Sequence, residues 1–267
     1  MVLDGEKLDI LMEELESCAT VAYEMQADIA RGYKDDGSVL TKADTTISRR
    51  VMVMLSRLFP TCNRISEEER SAYKEDAPYT FILDPIDGTD VYSQGLPCFA
   101  IALGILDSCR QPVGAMVIAP RFGIAQERFS IRLDPGQKPI LDSKPLRYPQ
   151  GKDMPTQITL SSKSQKLVDF SHFHGKVRTF GSSIIHILAP AIYPYIQGCI
   201  NQPAYAWDIA AAHAVLRAVG MDIEYADGTP FVYDRSMLED RMPCHGTIYC
   251  GTETCRHNLR ELLPLRS

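Results

Sequence analysis

The residues with the plainest chemical potential stand close together in the stretch from Tyr79 to Thr89, YTFILDPIDGT. Asp84 and Asp87 lie three positions apart across a proline-containing turn, and Gly88 and Thr89 follow at once. Two carboxylates that close repel, and each raises the other's pKa unless a cation sits between them. Hard oxygen ligands at this spacing suit Mg²⁺. The glycine lets the backbone turn sharply, and the amides beside it suit a phosphate. Read alone, D-P-x-D is also the pattern of an Asx-type turn in which both aspartates cap amides. Further carboxylates would decide between the two. Glu67 opens a run of three glutamates, which by itself fits a solvated loop. Asp208 follows Trp207, and Asp44 ends a polar segment that starts at Lys34. Each aspartate also fits a helix start, where a carboxylate is favoured without a metal.

The strand Tyr79–Leu83, rich in β-branched and aromatic residues, delivers Asp84 to its end, and Pro85 stops it. Arg64–Ser66 reads as a short extended stretch, so a neighbouring strand could bring Glu67 to the same edge as Asp84. Leu8, Leu11, Met12, Leu15, Cys18, Ala22, Met25 and Ile29 recur at helical steps. The loop Lys34–Asp44 leads to a second helical stripe, Ile47 to Leu58, with Asp44 as candidate N-cap. Phe99–Leu106 and Val113–Pro120 form a hairpin expected at the centre of a sheet, with a further strand over Ile124–Phe129. Residues 132–156, rich in Pro, Gly, Asp and Lys, read as the connection to a second half. That half holds strands Gln157–Ser161 and Val177–Phe180 and a helix opened by Gly181, Ser182 and Ser183. An alanine-rich helix after Asp208 follows, then strands Met221–Tyr225 and Thr247–Gly251 and a last helix to about Leu263. The serines serve as N-cap or as donors to a phosphate. His213 reads as a structural histidine.

A chain of 267 residues with 45% hydrophobic content buries a substantial core, as one domain of two packed halves, about 1–135 and 136–267. The formal charge of −6 argues against a nucleic-acid surface and for a small-molecule partner. Eight cysteines without a C-x-x-C pair read as reduced thiols of a cytoplasmic protein. The acidic start MVLDGEKLDI and the lack of a long apolar run point away from export or a membrane span.

Taken together, the loop ending Thr41-x-x-Asp44, Ser66-Glu67-Glu68, Asp84-Pro85-Ile86-Asp87-Gly88-Thr89, Gly181-Ser182-Ser183 and Trp207-Asp208-Ile209-Ala210-Ala211 resemble the inositol monophosphatase superfamily of magnesium-dependent, lithium-sensitive phosphatases. The resemblance implies an α/β fold, the layered αβαβα sandwich shared with fructose-1,6-bisphosphatase, assembled as a homodimer. It implies two or three Mg²⁺ ions. Glu67, Asp84 and the Ile86 carbonyl would hold one, and Asp84, Asp87 and Asp208 a second. Glu67 and Thr89, with Asp87 beside them, would orient an activated water toward phosphorus, and the amides of Gly88 and Thr89 would hold phosphate oxygens. Gly181, Ser182 and Asp208 would line the substrate, with Lys34, Asp44 and Glu68 behind the ligands. The implied substrate is a small phosphorylated metabolite of the inositol monophosphate type. Ser66 in place of a glycine, and Gly181-Ser182-Ser183, look more like the branch that hydrolyses 3′-phosphoadenosine 5′-phosphate. Yet the basic residue that branch carries before its Trp-Asp pair is absent from Ile200–Tyr205. A non-catalytic relative that binds a phosphometabolite would be expected to lack one of these carboxylates, and a scaffold would show no metal-dependent stability.

Overall fold

The computed structural model describes residues 3–34, 37–123, 126–147 and 151–266. Asp35 and Asp36 of the polar loop, Ile124 and Ala125 of the expected strand, residues 148–150 of the expected connection and the first two residues lie outside that description. In chain order the elements of the first half are α1 (Gly5–Met25), β1 (Gly32–Tyr33), β2 (Val39–Leu40), α2 (Lys42–Leu58), β3 (Asn63–Ser66), β4 (Tyr79–Asp87), α3 (Thr89–Ser93), β5 (Ala100–Asp107), β6 (Pro112–Ala119), β7 (Phe129–Leu133), β8 (Ile140–Leu141) and β9 (Lys144–Pro145). There follow β10 (Gln157–Leu160), β11 (Lys176–Arg178), α4 (Ser183–Ile192), β12 (Gly198–Asn201), α5 (Ala206–Ala218), β13 (Asp222–Tyr225), α6 (Arg235–Leu238), β14 (Ile248–Gly251) and α7 (Glu253–Leu262).

Two sheets and three helical layers alternate. The larger sheet has seven strands in sequence order, β3 to β9, which puts β6 of the expected hairpin at its centre. One face carries Phe81, Leu83, Ile101, Leu103, Ile105, Met116 and Ile118 and is covered by α1 and α2 through Leu8, Leu11, Leu15, Ile47, Val51 and Leu55. The other face carries Ile82, Ala100, Ala102, Ala115 and Val117 and meets α4 and α5. Alternating side chains therefore serve two cores, as the period of a strand requires. The second sheet, ordered β11-β10-β12-β14-β13, lends Cys199, Ile223, Ile248 and Cys250 to that same middle layer. Its far face carries Ile158, Leu160, Ile200 and Tyr249 against Cys255 and Leu259 of α7. This is an αβαβα sandwich.

Small residues bring α5 close to the sheet. A Cβ placed on Gly104 of β5 would lie 2.6 Å from the Ala210 Cβ, so neither side has room for another methyl group.

Several sequence expectations need correction. Proline does not stop β4 at Asp84: the strand runs on to Asp87, because a bulge absorbs Pro85, which has no N–H to give the ladder. The strand expected at Ile124–Phe129 lies instead at Phe129–Leu133, where Phe129, Ile131 and Leu133 alternate with Ser130 and Arg132 toward the core. Within residues 132–156, β8 and β9 extend the large sheet as short edge strands, so that stretch is more than a connection. Helix α1 ends at Met25, short of Ile29, and the Lys34–Asp44 loop is pinned by the hairpin of β1 with β2. Helix α2 is capped by Thr41, not Asp44; Asp44 sits in its first turn and accepts from the Thr41 amide at 2.8 Å and the Thr41 hydroxyl at 2.6 Å.

Candidate active site

Strand β4 sets the site. Asp84 pairs with Ala102 of β5 and Asp87 with Ala100, so three steps on β4 match two on its partner. Residues three apart on a regular strand point to opposite faces; the extra residue of a bulge reverses the alternation. Both carboxylates consequently converge. Asp208, from the first turn of α5, joins them: ligand oxygens of Asp84, Asp87 and Asp208 lie within 4.8 Å of one another. Asp84 and Asp87 are buried and Asp208 is half-buried.

Each carboxylate is oriented by backbone. Asp84 accepts from the Ile86 amide at 3.1 Å, and Asp208 accepts from the Tyr205 amide at 2.7 Å. Asp87 sits on the N-terminus of α4, where it accepts from the Ile184 amide at 2.8 Å, the Ser183 amide at 3.1 Å and the Ser182 hydroxyl. Those donors and the helix dipole favour its charged form. Burial outweighs them and pushes its pKa up to about 6. Asp84 and Asp208 are driven well above the carboxylate range by burial first and then by neighbouring carboxylates. Negative groups crowded in a buried site, with only oxygen donors aimed inward, are a donor set that a hard dication satisfies.

Glu67 follows β3, which pairs in parallel with β4, Ser66 opposite Leu83. Its amide donates to the Leu83 carbonyl at 3.2 Å, which brings its backbone beside Asp84 as the strand argument expected. Its carboxylate, however, is not one of the three that converge. The Lys34 ammonium lies 2.6 Å from Glu67 Oε1 and 2.6 Å from Glu68 Oε1. Burial raises the Glu67 pKa to about 7 against the pull of Lys34. Lys34 is thus committed to the glutamate pair Glu67 and Glu68 beside the cluster.

Thr89, in the first turn of α3, places Oγ1 2.9 Å from the Ile86 carbonyl and 3.1 Å from Asp44 Oδ1. Its single proton has two acceptors, which leaves an Oγ1 lone pair for a further donor. Gly88 precedes it in the left-handed region at φ 89°, and Gly181 faces it at φ 91°. A Cβ on Gly88 would come 3.2 Å from the Gly181 carbonyl, and one on Gly181 would run into Val91 Cγ1. These glycines let the α3 turn and the entry to α4 abut. Ser182, expected on the substrate side, is fully buried with its hydroxyl committed to Asp87.

Sequence reasoning named Ser182 but not its partner, 95 residues away, quoted Thr41 only as part of the motif ending in Asp44 and not as the cap of α2, and missed Arg241 entirely. His213 is satisfied as expected, with Asp222 at 2.7 Å and the Tyr233 hydroxyl at 3.1 Å. His186, in α4, is a second buried histidine. Its Nε2 accepts from the Phe180 amide at 2.6 Å, its ring stacks on Phe180, and burial lowers its pKa to about 4. Between that value and the ordinary 6.5, the unfolded chain binds the proton that the fold refuses, so stability is lost as pH falls through this window. Urea unfolding at pH 7 and pH 4.5 should show that loss, and His186→Gln, which cannot charge, should show less of it. Equal pH sensitivity in both proteins would remove His186 as a cause.

A layered α/β fold with a cluster of carboxylates, Asp84, Asp87 and Asp208, whose donor set could hold a divalent cation, defines the class of the protein. The chain belongs to the inositol monophosphatase family, whose model matches residues 9–243. The inositol-1-monophosphatase ImpA of Mycolicibacterium smegmatis is 28% identical over 253 residues, with 87% of each chain covered. The Nus factor SuhB of Pasteurella multocida is 24% identical over 209 residues, covering 74% of this chain and 76% of its own. A crystal structure of an IMPase/NADP phosphatase complexed with Mg²⁺ and phosphate superposes with a TM-score of 0.80 at 16% identity, covering 98% of each chain. That likeness confirms the fold.

Proposed function

We propose that this chain is a Mg²⁺-dependent phosphomonoesterase that hydrolyses a small phosphorylated metabolite of the inositol monophosphate type. The observation that carries the reading is the convergence within 4.8 Å of the buried Asp84 and Asp87 of β4 with the half-buried Asp208 of α5, which is far from them in sequence. Asp84, Asp87, Asp208, Glu67 and the Ile86 carbonyl would hold two or three ions. Bound Mg²⁺ supplies Lewis acidity toward the phosphoryl oxygens and lowers the pKa of a water. Thr89 holds its proton toward Asp44 and Ile86, so that its free lone pair can accept from the attacking water and aim it. Helix α4 fixes the Asp87 rotamer through Ser182, Ser183 and Ile184, a preorganisation that costs nothing at the moment of reaction. Gly88 and Thr89 amides fit the phosphate. Gly181 and Ser182 act at one remove from the substrate, through the α3 turn and through Asp87. The reading extends to a homodimer in the cytoplasm.

The test is a panel of monoesters, assayed with Mg²⁺ and with or without Li⁺: inositol 1-phosphate, 3′-phosphoadenosine 5′-phosphate, fructose 1,6-bisphosphate and histidinol phosphate. Hydrolysis of inositol 1-phosphate should be lost in chelator and fall in Li⁺. Preference for the nucleotide would move the chain to the bisphosphate nucleotidase reading. Mg²⁺ binding without hydrolysis of any ester would favour a non-catalytic relative.

A further inference from the structure

Arg241 lies just after α6, in the left-handed region at φ 59°, far in sequence from every carboxylate of the site. Its guanidinium is spread over the backbone that carries Glu67. Nη2 donates to the Ser66 carbonyl at 2.7 Å and the Glu67 carbonyl at 2.8 Å, and Nη1 donates to the Glu69 carbonyl at 2.7 Å. The same group lies over the Trp207 ring, 5.0 Å from its centroid, and Trp207 stacks in turn on Tyr205 at 4.7 Å. Trp207 precedes Asp208, and the Tyr205 amide is the donor that orients the Asp208 carboxylate. A few residues on, the Cys244 amide donates to the Ala204 carbonyl at 2.9 Å, which ties the same segment to the lead into α5.

One side chain therefore touches both segments that must approach Asp84 from either side. A guanidinium presents donors in a rigid planar fork and an apolar face to a ring, and this site uses both surfaces. No carboxylate pairs with it among the hydrogen bonds and ion pairs of the described residues. Its three recorded hydrogen bonds all go to backbone carbonyls, in a place where burial already lowers the pKa of the cation. Keeping a half-buried arginine there is costly for structure alone.

We propose that Arg241 is a positioning residue: it fixes the Ser66–Glu69 segment against Trp207 and thereby sets where Glu67 stands relative to Asp84 and Asp208 for Mg²⁺ binding. The inference rests on the metal-site reading above. It assigns to Arg241 no contact with the substrate.

The test uses the full chain and Mg²⁺ alone, followed by calorimetry, with melting in chelator measured in parallel. Wild type, Arg241→Met, Arg241→Lys, Glu67→Gln and the Glu67→Gln/Arg241→Met double variant are compared. Arg241→Met keeps an apolar stem over Trp207 but no donors, and should weaken Mg²⁺ binding by about 10- to 100-fold, the range for residues that orient a metal ligand. Arg241→Lys, with one point donor in place of the fork, should fall between. In the Glu67→Gln background the Arg241→Met effect should largely disappear, because the two act through one group. Mg²⁺ binding by Arg241→Met equal to wild type would overturn the proposal. So would a loss that is as large in the Glu67→Gln background, or one matched by a melting loss in chelator that lysine does not rescue. If Arg241→Met does not fold, unchanged Mg²⁺ affinity in Arg241→Lys overturns it equally. A wild-type chain that binds no Mg²⁺ overturns the metal-site reading itself, an outcome separate from all of these.

Discussion

Asp208→Asn is expected to fold, to lose turnover by about 10³-fold, and to melt higher than wild type in chelator. The amide keeps the shape and the acceptor that takes the Tyr205 amide at 2.7 Å, so the first turn of α5 stays capped. What disappears is one negative charge among three carboxylates within 4.8 Å. On the proposed reading that charge would help hold the Mg²⁺ that stabilises the transition state, a contribution of several kcal/mol, which is about three powers of ten in rate. With no cation, burial first and then repulsion from Asp87 and Glu67 disfavour the same charge, which is why its pKa stands well above the usual range. Neutralising it relieves that repulsion. Mg²⁺ titrations of activity and melting curves in chelator check both halves. Unchanged turnover and unchanged Mg²⁺ dependence would return Asp208 to the role of a helix-start acid.

Thr89→Ala should separate water positioning from metal binding. The hydroxyl bridges Asp44 at 3.1 Å and the Ile86 carbonyl at 2.9 Å, and it contributes no carboxylate to the cluster. Removing one group that orients a proton in the transition state costs about 10²- to 10⁴-fold. Turnover should therefore drop at least a hundredfold (~10²) while KM and the Mg²⁺ midpoint stay near wild type, the pattern of an interaction made only in the transition state. Thr89→Ser should recover most of the rate, since it restores the oxygen. A loss accounted for by weaker Mg²⁺ binding would reject the role. Asp44 is raised by burial and hydrogen-bonded by Thr41 and Thr89, so it also holds the α2 cap, and its substitution would mix the two effects.

What the sequence by itself determined is local. The β-branched run before Asp84, the glycine after Asp87, the alanines after Asp208 and the period-3.6 stripes of α1 and α2 mark the elements that carry these carboxylates. Residue type and near-neighbour spacing fix those features. Even the approach of Glu67 to Asp84 was legible, because a short strand laid beside Tyr79–Leu83 brings the residue that follows it next to the residue that follows Leu83.

Only the tertiary structure decided the rest. The bulge that turns Asp84 and Asp87 to one side depends on register with Ala100 and Ala102, a pairing partner that no local pattern specifies. The commitment of Ser182 to Asp87 depends on α4 pointing its N-terminus at β4, across 95 residues. Sequence places Lys34 near the site only through the family resemblance and Arg241 carries no signal in sequence, yet one closes on Glu67 and Glu68 and the other spans Glu67 and Trp207. Long flexible side chains carry no periodic signal, and their partners are chosen by whichever unpaired carboxylates and carbonyls the packed layers bring within reach.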